Sequence, residues 1–450
     1  MPHSVVKPGR STNGRNHGRQ VMITDSLERQ FTAGSILVSG ATGFVGRALL
    51  ATLRKRHDRQ IICLVRAPDD AVARERGRAV TVDPRVLWLR ADLEQEQLGL
   101  DPGTWRALGK AIHEIFHCAA SVKFNLPLEQ AQRINVDGTR RLLDLAQAGC
   151  RQGTFRRFHH ISTAFVAGRR KGAVEADFLP DDRATNFRNS YERTKARAER
   201  MLRQQTQVDV SIYRPSIVAG HSTTGKTDNW NVLYAPMRLI SRGRLPVVPK
   251  SGAGLVDCVG VDYVAEGIVE LASRAQRGLN SYHLTMGRRA LTVEEFAAGC
   301  VLGCREYDSS YRGQCSVIGP LRWAAVKAGI RLAARAPRLA PRVRCWGKLG
   351  QRSLRCLEPY EPYAEVGTAF VNDFESGVLA AAGIAMPNSL QYLSRIVRYA
   401  LRVSFDLPAR GGADDQRAKR TAPVDRRRSS AQRLGRAVTE LIPAPAPVPW

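Results

Sequence analysis

Residues 35–46 read SILVSGATGFVG, and this stretch decides the fold. The apolar run over 35–39 predicts a buried strand, and Gly40, Gly43 and Gly46 follow it with the spacing GxxGxxG. Glycine at the first position allows a tight turn, and at the second it lets the backbone approach a pyrophosphate. At the third it lets the next helix pack close to the sheet. The stretch therefore predicts a dinucleotide-binding loop at the N-terminus of a helix.

Short apolar segments continue to alternate with segments of helical length after this loop. Strands are predicted over residues 35–39, 60–65, 85–89, 112–118, 155–161 and 208–213. Helices are predicted over residues 44–55, 128–148 and 190–203. Apolar strands that alternate with helices are typical of a parallel sheet covered on both faces. The sequence therefore predicts an α/β protein with a doubly wound parallel sheet.

The end of the second predicted strand bears on the choice of cofactor. An NAD site usually has Asp or Glu there to bind the ribose 2′-hydroxyl, whereas this chain has Arg66. A guanidinium suits a 2′-phosphate, so Arg66 favours NADP(H), although Asp69 and Asp70 follow closely and keep NAD open. Asp92, after the third strand, fits either a bond to the adenine amino group or the role of a turn residue.

A second pattern, YxxxK, lies on the helix predicted over residues 190–203. Tyr191 and Lys195 are four residues apart and so share one helical face. A cation beside a phenol lowers its pKa from about 10, which would let Tyr191 exchange a proton with an alcohol near neutral pH. Thr163, or its neighbour Ser162, ends the fifth strand with a hydroxyl that can donate to a substrate carbonyl oxygen.

Asn135, in the segment NVDGT over 135–139, fits two roles. Its amide can hold a water that relays protons through Lys195, or it can hold helix backbone as a structural residue. The sequence leaves both roles open.

The chain is strongly basic, with 69 Lys and Arg against 41 Asp and Glu and a net charge of +28. Eleven of the basic residues, and no acidic ones, lie between Arg312 and Arg355. Apolar residues at helical spacing lie among them, namely Trp323, Val326, Ile330, Leu332 and Ala333. The segment predicts an amphipathic helix that either packs on the main domain or lies on an anionic surface. Few aromatic residues interleave the charges, so nucleic acid is not expected as a partner.

The remaining composition bounds the class of protein. The nine cysteines form no paired spacing, so we expect no disulfide framework and a reducing, cytoplasmic location. No apolar run is long enough to span a bilayer. We expect disordered tails over 1–33 and 406–450, a nucleotide-binding domain with its substrate-binding part over 34–310, and a basic, mainly helical region over 311–405.

Two further motif matches are rejected. The segment over 220–227 fits GxxxxGK[ST], but a phosphate-binding P-loop normally follows the first strand of its sheet. The segment over 113–117 fits HExxH, but a zinc protease carries that motif on a helix, and here a strand is predicted. We expect no metal, and we expect His117 to pack beneath the cofactor.

The quoted residues together resemble the extended branch of the short-chain dehydrogenase/reductase superfamily. More narrowly, they are similar to its thioester reductase and fatty acyl-CoA reductase group. The resembling segments are SGATGFVG (39–46), ICLVRA (62–67), HCAASVKF (117–124), NVDGT (135–139), HISTAFVAG (160–168), YERTK (191–195), YRPSIVAG (213–220) and VDCVGVDYVA (256–265). Ser39 and Gly260 depart from the usual Thr and Pro, and neither change removes a catalytic atom.

The resemblance implies a Rossmann fold of the extended type and NADPH-dependent reduction of an acyl thioester to an aldehyde, with a second round giving the alcohol. It implies the catalytic residues Thr163, Tyr191, Lys195 and Asn135. It places the cofactor against Gly40, Thr42, Gly43, Phe44, Val45, Gly46, Arg66, Asp92, Leu93, Ala119, Tyr191, Lys195, Pro215, Ser216 and Ile217. The substrate would be bound to coenzyme A or to an acidic carrier protein, and the basic segment would meet that carrier or an anionic membrane.

Two alternatives stay open. The same fold can act on a sterol or a nucleotide sugar as a dehydrogenase or epimerase, or it can serve as a non-catalytic NADP-binding regulator.

Overall fold

A seven-stranded parallel sheet forms the centre of the molecule. The computed structural model describes residues 30–230, 232–250, 252–335, 341–358, 363 and 367–405. Every neighbouring pair of strands is parallel, and the order across the sheet is β3 (Val86–Arg90), β2 (Ile61–Val65), β1 (Ser35–Ser39), β4 (Ile112–His117), β5 (Arg157–Ile161), β7 (Val210–Pro215) and β12 (Leu279–Leu284). The order reverses direction between β1 and β4, and this switch point is where open α/β sheets bind ligands. The predicted doubly wound sheet is therefore confirmed.

The strands have these bounds: β1 Ser35–Ser39, β2 Ile61–Val65, β3 Val86–Arg90, β4 Ile112–His117, β5 Arg157–Ile161, β6 Gly172–Val174, β7 Val210–Pro215, β8 Ile217–Ala219, β9 Val247–Pro249, β10 Leu255–Val256, β11 Cys258–Gly260, β12 Leu279–Leu284, β13 Leu291–Thr292, β14 Ser316–Ile318 and β15 Thr368–Phe370. The α-helices are α1 Phe44–Arg56, α2 Asp70–Arg78, α3 Pro102–Ala111, α4 Leu128–Gln132, α5 Gly138–Arg151, α6 Ser190–Gln204, α7 Tyr234–Ser241, α8 Val261–Ser273, α9 Val293–Tyr307, α10 Pro320–Arg335, α11 Pro341–Leu357, α12 Asp373–Ala381 and α13 Ser389–Arg402.

Most of the central part of the sheet is buried. Every residue of β1, β2 and β5 is buried, and in β1 and β2 this matches runs of mostly apolar residues. Helices α1 and α8 pack on one face of the sheet, and their apolar side chains join those of β1 in one large core. Helix α5 contributes to a second core on the other face. The two cores hold the carboxyl ends of the strands, and so the candidate site, in a rigid frame.

A strand of the central sheet and the longest predicted helix differ from the prediction. Strand β12 completes the sheet but was not predicted, because its sequence LNSYHL mixes polar and apolar residues and its first half is at least partly exposed. The helix predicted over 128–148 is divided into α4, a π-helical turn at Arg133–Asp137 and α5. A π-turn widens the helix by one residue, which apolar periodicity does not reveal.

The chain beyond residue 310 is tied into the main domain. Strand β15 pairs with β6 in parallel. Helix α13 packs on α9 through Leu393 and Val397, which lie against Gly299 and Gly303. These glycines leave room because a β-carbon on either one would meet an α13 side chain at less than 3.0 Å. The described part of the predicted 311–405 region therefore completes the core of the preceding domain.

Helices α10 and α11 carry the basic segment and pack against each other. Trp323 is buried with Val247 and Ile318, and Val326 packs against the same cluster, whereas Leu332 is 69% exposed. The apolar side of α10 thus covers the domain near its N-terminal end, as the packed-helix alternative predicts. Among the described residues, no helix is both long and apolar enough to cross a membrane.

The rejected motifs are structural. Residues 113–117 lie on β4, and the described residues contain no group of His, Cys, Asp and Glu that could hold a metal ion. In the 220–227 segment the His221 amide donates to the Lys226 carbonyl and the Gly225 amide donates to the His221 carbonyl, both at 2.8 Å, so the segment forms a turn. In the described part of the chain, eight of the nine cysteines are free thiols. Residues 1–29 and 406–450 of the predicted tails lie outside the described residues.

Candidate active site

The glycine loop between β1 and α1 is shaped to admit a phosphate group. Gly40 has a φ of +77°, and a β-carbon there would lie 2.6 Å from the Ala119 amide nitrogen. A β-carbon on Gly46 would lie 2.0 Å from the Gly40 carbonyl oxygen. No side chain caps the N-terminus of α1 at Gly43, and no acidic residue lies in its first turn. The loop therefore presents backbone amides and the positive end of a helix dipole, and its residues fit a dinucleotide.

The residues expected at the adenosine end have distinct surroundings. The Arg66 side chain is 72% exposed, and its guanidinium lies 3.2 Å from the Glu94 carboxylate. Asp69 caps α2 by accepting a hydrogen bond from the Val72 amide at 2.8 Å, and Asp70 pairs with Arg90. Both aspartates thus have structural roles. The Arg66 side chain is joined to Glu94 only by an exposed ion pair, and such pairs contribute little to the stability of the fold.

Asp92 follows β3 as a turn residue. One of its carboxylate oxygens accepts a hydrogen bond from the Glu94 amide at 3.0 Å. Leu93 lies next to it and packs near Gly138 at the start of α5, where a β-carbon would lie 3.1 Å from the Leu93 β-carbon. In this turn the Glu94 amide occupies one carboxylate oxygen of Asp92. A contact of Asp92 with the adenine amino group remains a prediction.

Tyr191 and Thr163 meet at the carboxyl edge of the sheet. Tyr191 lies in the first turn of α6, and Thr163 follows β5. Burial raises the pKa of the Tyr191 phenol, and a hydrogen bond with the Thr163 hydroxyl lowers it in part. The Thr163 hydroxyl also donates to the Pro215 carbonyl at 3.4 Å. The alternative Ser162 hydroxyl is buried and has no hydrogen-bond partner among the described residues. The structure therefore brings Thr163 to Tyr191.

Lys195 lies one turn beyond Tyr191 and points to the end of β5. Its ammonium donates to the Ile161 carbonyl at 2.8 Å and lies 3.1 Å from His160 Nε2. Burial lowers the pKa of Lys195 to about 8. The expectation that Lys195 lowers the pKa of Tyr191 is wrong for this structure, because burial of the phenol dominates and the ammonium is held elsewhere. His160 was assigned no role from the sequence, although it lies in the segment HISTAFVAG.

His117 is also buried below this edge. Its Nδ1 lies 2.7 Å from the Ser39 hydroxyl, and its Nε2 lies 2.9 Å from the Thr139 hydroxyl. Burial, with the nearby Lys195 charge, lowers the pKa of His117 to about 3. A neutral His117 therefore ties β1, β4 and α5 together beneath the candidate cofactor loop.

Asn135 lies in the π-turn and is fully engaged with backbone and helix. Its Oδ1 accepts from the Ser121 amide at 2.8 Å, and its Nδ2 donates to the Ser121 carbonyl at 3.2 Å. The same Nδ2 lies 3.0 Å from the Thr194 hydroxyl of α6. These bonds fit the structural role that the sequence left open, and they anchor the segment after β4 to α6.

The residues expected around the nicotinamide lie at the ends of β7 and β8. The Ser216 amide donates to the Leu284 carbonyl at 3.2 Å, and the Ile217 amide donates to the Asp257 carbonyl at 3.2 Å. Pro215 is the last residue of β7. The Ala119 amide donates to the Ser39 hydroxyl at 3.3 Å, at the closest approach to Gly40. The side chains of Thr42, Phe44 and Val45 in the glycine loop are at least partly exposed.

An apolar cavity of about 120 Å³, partly open to solvent, lies beside these groups. Phe165 and Ile217 line it close to Thr163 and Ser216. Its other walls come mostly from elements after residue 230, including Phe296 of α9, Trp323 of α10 and Leu357 of α11. Its described lining is mostly hydrophobic and aromatic, as the linings of small-molecule sites are.

Tyr363 lines the cavity and contacts α6, and nothing in the sequence indicated this role. Its hydroxyl donates to the Glu192 carboxylate at 2.7 Å and accepts from Asn189 at 2.8 Å. Its ring stacks on Phe124 with centroids 5.5 Å apart, and Phe124 lies 5.9 Å from the Tyr191 ring. No local pattern connects residue 363 to Tyr191, so only the fold reveals this contact.

The arrangement supports proton donation and binding of an oxyanion. The hydroxyls of Thr163 and Tyr191 are close enough to interact at the carboxyl edge of the sheet, and hydroxyls there can donate to a carbonyl oxygen. Lys195 lies one turn after Tyr191 on α6, and the glycine loop lies at the switch point of the sheet. Such a site is suited to adding a hydride and a proton to a carbonyl group.

Known proteins share both the sequence pattern and the fold. The sequence profile of the male sterility protein family matches residues 38–268. The chain is 30% identical over 271 residues to a component of the linear gramicidin synthase of Brevibacillus parabrevis, which is 57% of this chain and 5% of that protein. It is 28% identical over 298 residues to fatty acyl-CoA reductase 1 of Gallus gallus, which is 57% of each. The matched part of the chain thus spans less than two thirds of the length of each of these relatives.

Solved structures give the same result for the fold. The terminal R domain from the myxalamid PKS-NRPS biosynthetic pathway superposes with a TM-score of 0.67 at 25% identity, over 85% of this chain and 98% of that one. The reductase domain of a nonribosomal peptide synthetase from Mycobacterium tuberculosis gives 0.58 at 20% identity, over 85% and 96%, and supports the fold alone. The resemblance to the thioester reductase and fatty acyl-CoA reductase group is therefore confirmed. Because the matched residues 38–268 make up more than half of the 450 residues, the chain belongs to the male sterility protein family.

Proposed function

We propose that this protein is an NADPH-dependent reductase that converts an acyl thioester to an aldehyde, with the alcohol formed in a second round. The observation that carries the proposal is the proximity of Thr163 and Tyr191 to each other and, through Phe165, to an apolar cavity. The pairing supplies donors for a carbonyl oxygen, and the cavity supplies room for the rest of an acyl group. Both lie beside a glycine loop that fits a dinucleotide.

The proposed chemistry assigns one task to each side chain. A bound nicotinamide would supply the hydride. Thr163 and Tyr191 donate hydrogen bonds to the thioester oxygen and stabilise the charge that develops on it. Tyr191 gives its proton to that oxygen, and the resulting hemithioacetal loses the thiol to leave the aldehyde. Lys195 holds the nicotinamide ribose, and Asn135 keeps α6 in position.

The protonation of the site agrees with reduction as the working direction. Burial raises the pKa of Tyr191, so the phenol holds its proton at neutral pH and is ready to donate it. Burial keeps the pKa of His160 well below 6.5, so a neutral imidazole faces the Lys195 ammonium. The Cys118 thiol nearby is neutral too, because burial raises its pKa to about 11.

The proposal is tested by following NADPH absorbance with the purified protein and a panel of acyl-CoAs. Tyr191→Phe keeps the ring and removes the proton donor, so we expect turnover to fall by about 10²-fold or more while NADPH still binds. Tyr307→Phe, at a tyrosine that is 49% exposed on α9, is the matched control and should retain full activity. Full turnover by Tyr191→Phe would contradict the assigned role, and inactivity of the wild type on every acyl-CoA and acyl-carrier thioester would contradict the function.

The choice of NADPH over NADH rests on Arg66. Its guanidinium is exposed and is held only by Glu94, so it can turn to a 2′-phosphate at little cost. Asp69 and Asp70, which would otherwise favour NADH, are engaged in a helix cap and an ion pair.

A nucleotide-sugar substrate is less well supported than a thioester. A sugar needs side chains that bind its hydroxyls, whereas the described lining of the cavity is mostly apolar. A sterol would suit the apolar lining of the cavity. Assaying a hydroxysteroid with NADP⁺ beside the acyl-CoA panel distinguishes a sterol substrate from an acyl thioester.

The carrier of the thioester is proposed from charge. Arg322, Arg331 and Arg335 are exposed on α10, whose opposite side reaches the cavity through Trp323. They would attract the phosphates of coenzyme A, an acidic carrier protein or an anionic bilayer. Flotation with anionic and neutral liposomes at low and high salt tests the membrane contact, and its loss at high salt is the expected sign of charge attraction.

A further inference from the structure

We infer that the apolar cavity binds an unbranched hydrocarbon chain and that Trp323 limits the length of chain it accepts. The inference rests on the proposed thioester reduction, since the chain would be the acyl group of that substrate. It goes further by excluding a peptidyl or other polar acyl group and by naming the residue that sets the size of the site.

The first argument is that the polar side-chain oxygens of the cavity already have partners. The Asp257 carboxylate accepts hydrogen bonds from the Met286 amide at 2.8 Å and the Gly287 amide at 3.1 Å. The Thr368 hydroxyl donates to the Arg170 carbonyl. The Tyr363 hydroxyl donates to Glu192. Among the described lining residues, these are the three that carry a side-chain oxygen.

A polar acyl group would therefore lose its water without finding oxygen partners in these side chains. An amide moved into an apolar environment without a hydrogen bond is strongly disfavoured. A hydrocarbon chain has no such cost, and the remaining described lining offers it aliphatic and aromatic carbon.

The second argument is that the cavity leads from the reacting centre. Phe165 lines it, and the Phe165 amide donates to the Thr163 hydroxyl at 3.3 Å. Tyr363 lines it as well and bonds to Glu192, the residue after Tyr191. A carbonyl carbon held by Thr163 and Tyr191 would thus direct its chain into the cavity.

The third argument concerns the wall that α10 contributes. Trp323 is 5% exposed and packs with Val247, Ile318 and Val326. It lies outside the family match, which ends at residue 268, so this wall is a feature that the family match does not supply. Leu354 of α11 packs against the same cluster, so removal of the large indole would open space between α10 and α11.

The first experiment measures binding without turnover. Calorimetry of the protein with acetyl-, hexanoyl-, octanoyl-, decanoyl- and dodecanoyl-CoA, in the absence of cofactor, should show affinity rising about fourfold for each buried CH₂ until the cavity is full. The CoA thioester of 3,6,9-trioxadecanoic acid matches decanoyl-CoA in length but carries ether oxygens, and it should bind no better than acetyl-CoA. Equal affinity for the ether and decanoyl thioesters would overturn the inference that the cavity takes hydrocarbon.

The second experiment tests Trp323. Trp323→Ala should move the plateau of affinity to longer chains, and Trp323→Phe should move it less. Leu321→Ala removes a side chain that is 88% exposed on the same helix and should leave the profile of the wild type. A plateau that stays in place in a folded Trp323→Ala protein would overturn the role of Trp323, and Trp323→Phe provides the same test if the alanine variant is unstable.

Failure of the inference differs from failure of the proposed function. If acyl-CoAs are reduced but chain length has no effect on binding, the cavity inference falls and thioester reduction stands. If chain length and Trp323→Ala affect binding as expected but no thioester consumes NADPH, the cavity stands and the proposed reaction falls.

Discussion

Replacement of Lys195 by methionine should change how the stability of the protein depends on pH. Lys195 is 2% exposed, and burial lowers its pKa from 10.5 to about 8, against an opposing effect of Glu199. The folded state holds this proton less tightly than the unfolded chain, so the protonated side chain lowers stability below pH 8, by about 3 kcal/mol. The loss is relieved as the pH rises from 8 toward 10.5, because the unfolded chain then binds more protons than the folded protein.

The wild type should therefore gain about 2 kcal/mol between pH 7 and pH 9.5 that Lys195→Met cannot gain. Urea unfolding of both proteins without cofactor, at several pH values, measures this change as the difference between their free energies of unfolding. Groups that titrate in both proteins contribute equally to both free energies of unfolding, so their contributions cancel in the difference. At pH 7 the variant leaves His160 without its partner, which costs about 1–3 kcal/mol, so the test is the slope with pH.

A matched control separates burial from charge. Lys110→Met, at an exposed position at the end of α3, should follow the pH dependence of the wild type. The reasoning would be refuted if the free energy of unfolding of the wild type minus that of Lys195→Met stays constant or falls from pH 7 to pH 9.5. Such a result would mean that the ammonium is better solvated in the folded protein than its burial indicates.

Two further predictions concern the cofactor and the anchoring of α6. Arg66→Asp should weaken NADPH binding by about 10- to 150-fold, which is the effect of losing a charge-assisted hydrogen bond, and should leave NADH binding nearly unchanged. Asp69→Asn keeps the cap of α2 and is the control. Equal affinity of the wild type for NADPH and NADH, measured by calorimetry, would contradict the role of Arg66. Glu199→Ala leaves Arg214, 0% exposed, without its buried carboxylate and should lower the free energy of unfolding by about 3–5 kcal/mol, whereas Glu294→Gln in an exposed ion pair should cost less than about 1 kcal/mol. Similar losses in the two glutamate variants, measured by urea unfolding, would show that the Arg214 pair is not the anchor.

Local patterns were sufficient for the first half of the fold. The strand–glycine–helix unit at β1 and α1 carries its signal in consecutive residues, and the structure has β1 at the predicted bounds. Thr163, Tyr191 and Lys195 lie on elements that periodicity also identifies, so their approach at the sheet edge follows once the strands are parallel. The role of each in catalysis remains a prediction.

Other features depend on contacts between distant parts of the chain. Strand β12 is defined by its pairing with β7 and has a sequence that does not stand out. Trp323 was recognised as apolar on a basic helix, but not as a wall of the cavity. The pKa of Tyr191 was predicted in the wrong direction, because burial depends on the whole fold and outweighs the nearby charge.

The bond between Tyr363 and Glu192, 171 residues apart, also bears on the order in which the molecule assembles. During synthesis the glycine loop and α6 leave the ribosome long before the segment that encloses the cavity. Until α9 to α13 arrive, a growing chain exposes the apolar side chains that will line the cavity, and long-range closure of this kind is slow. Nascent chains stalled before residue 363 should thus bind dinucleotide earlier than they bind an acyl chain, and in the interval they are candidates for chaperone recognition.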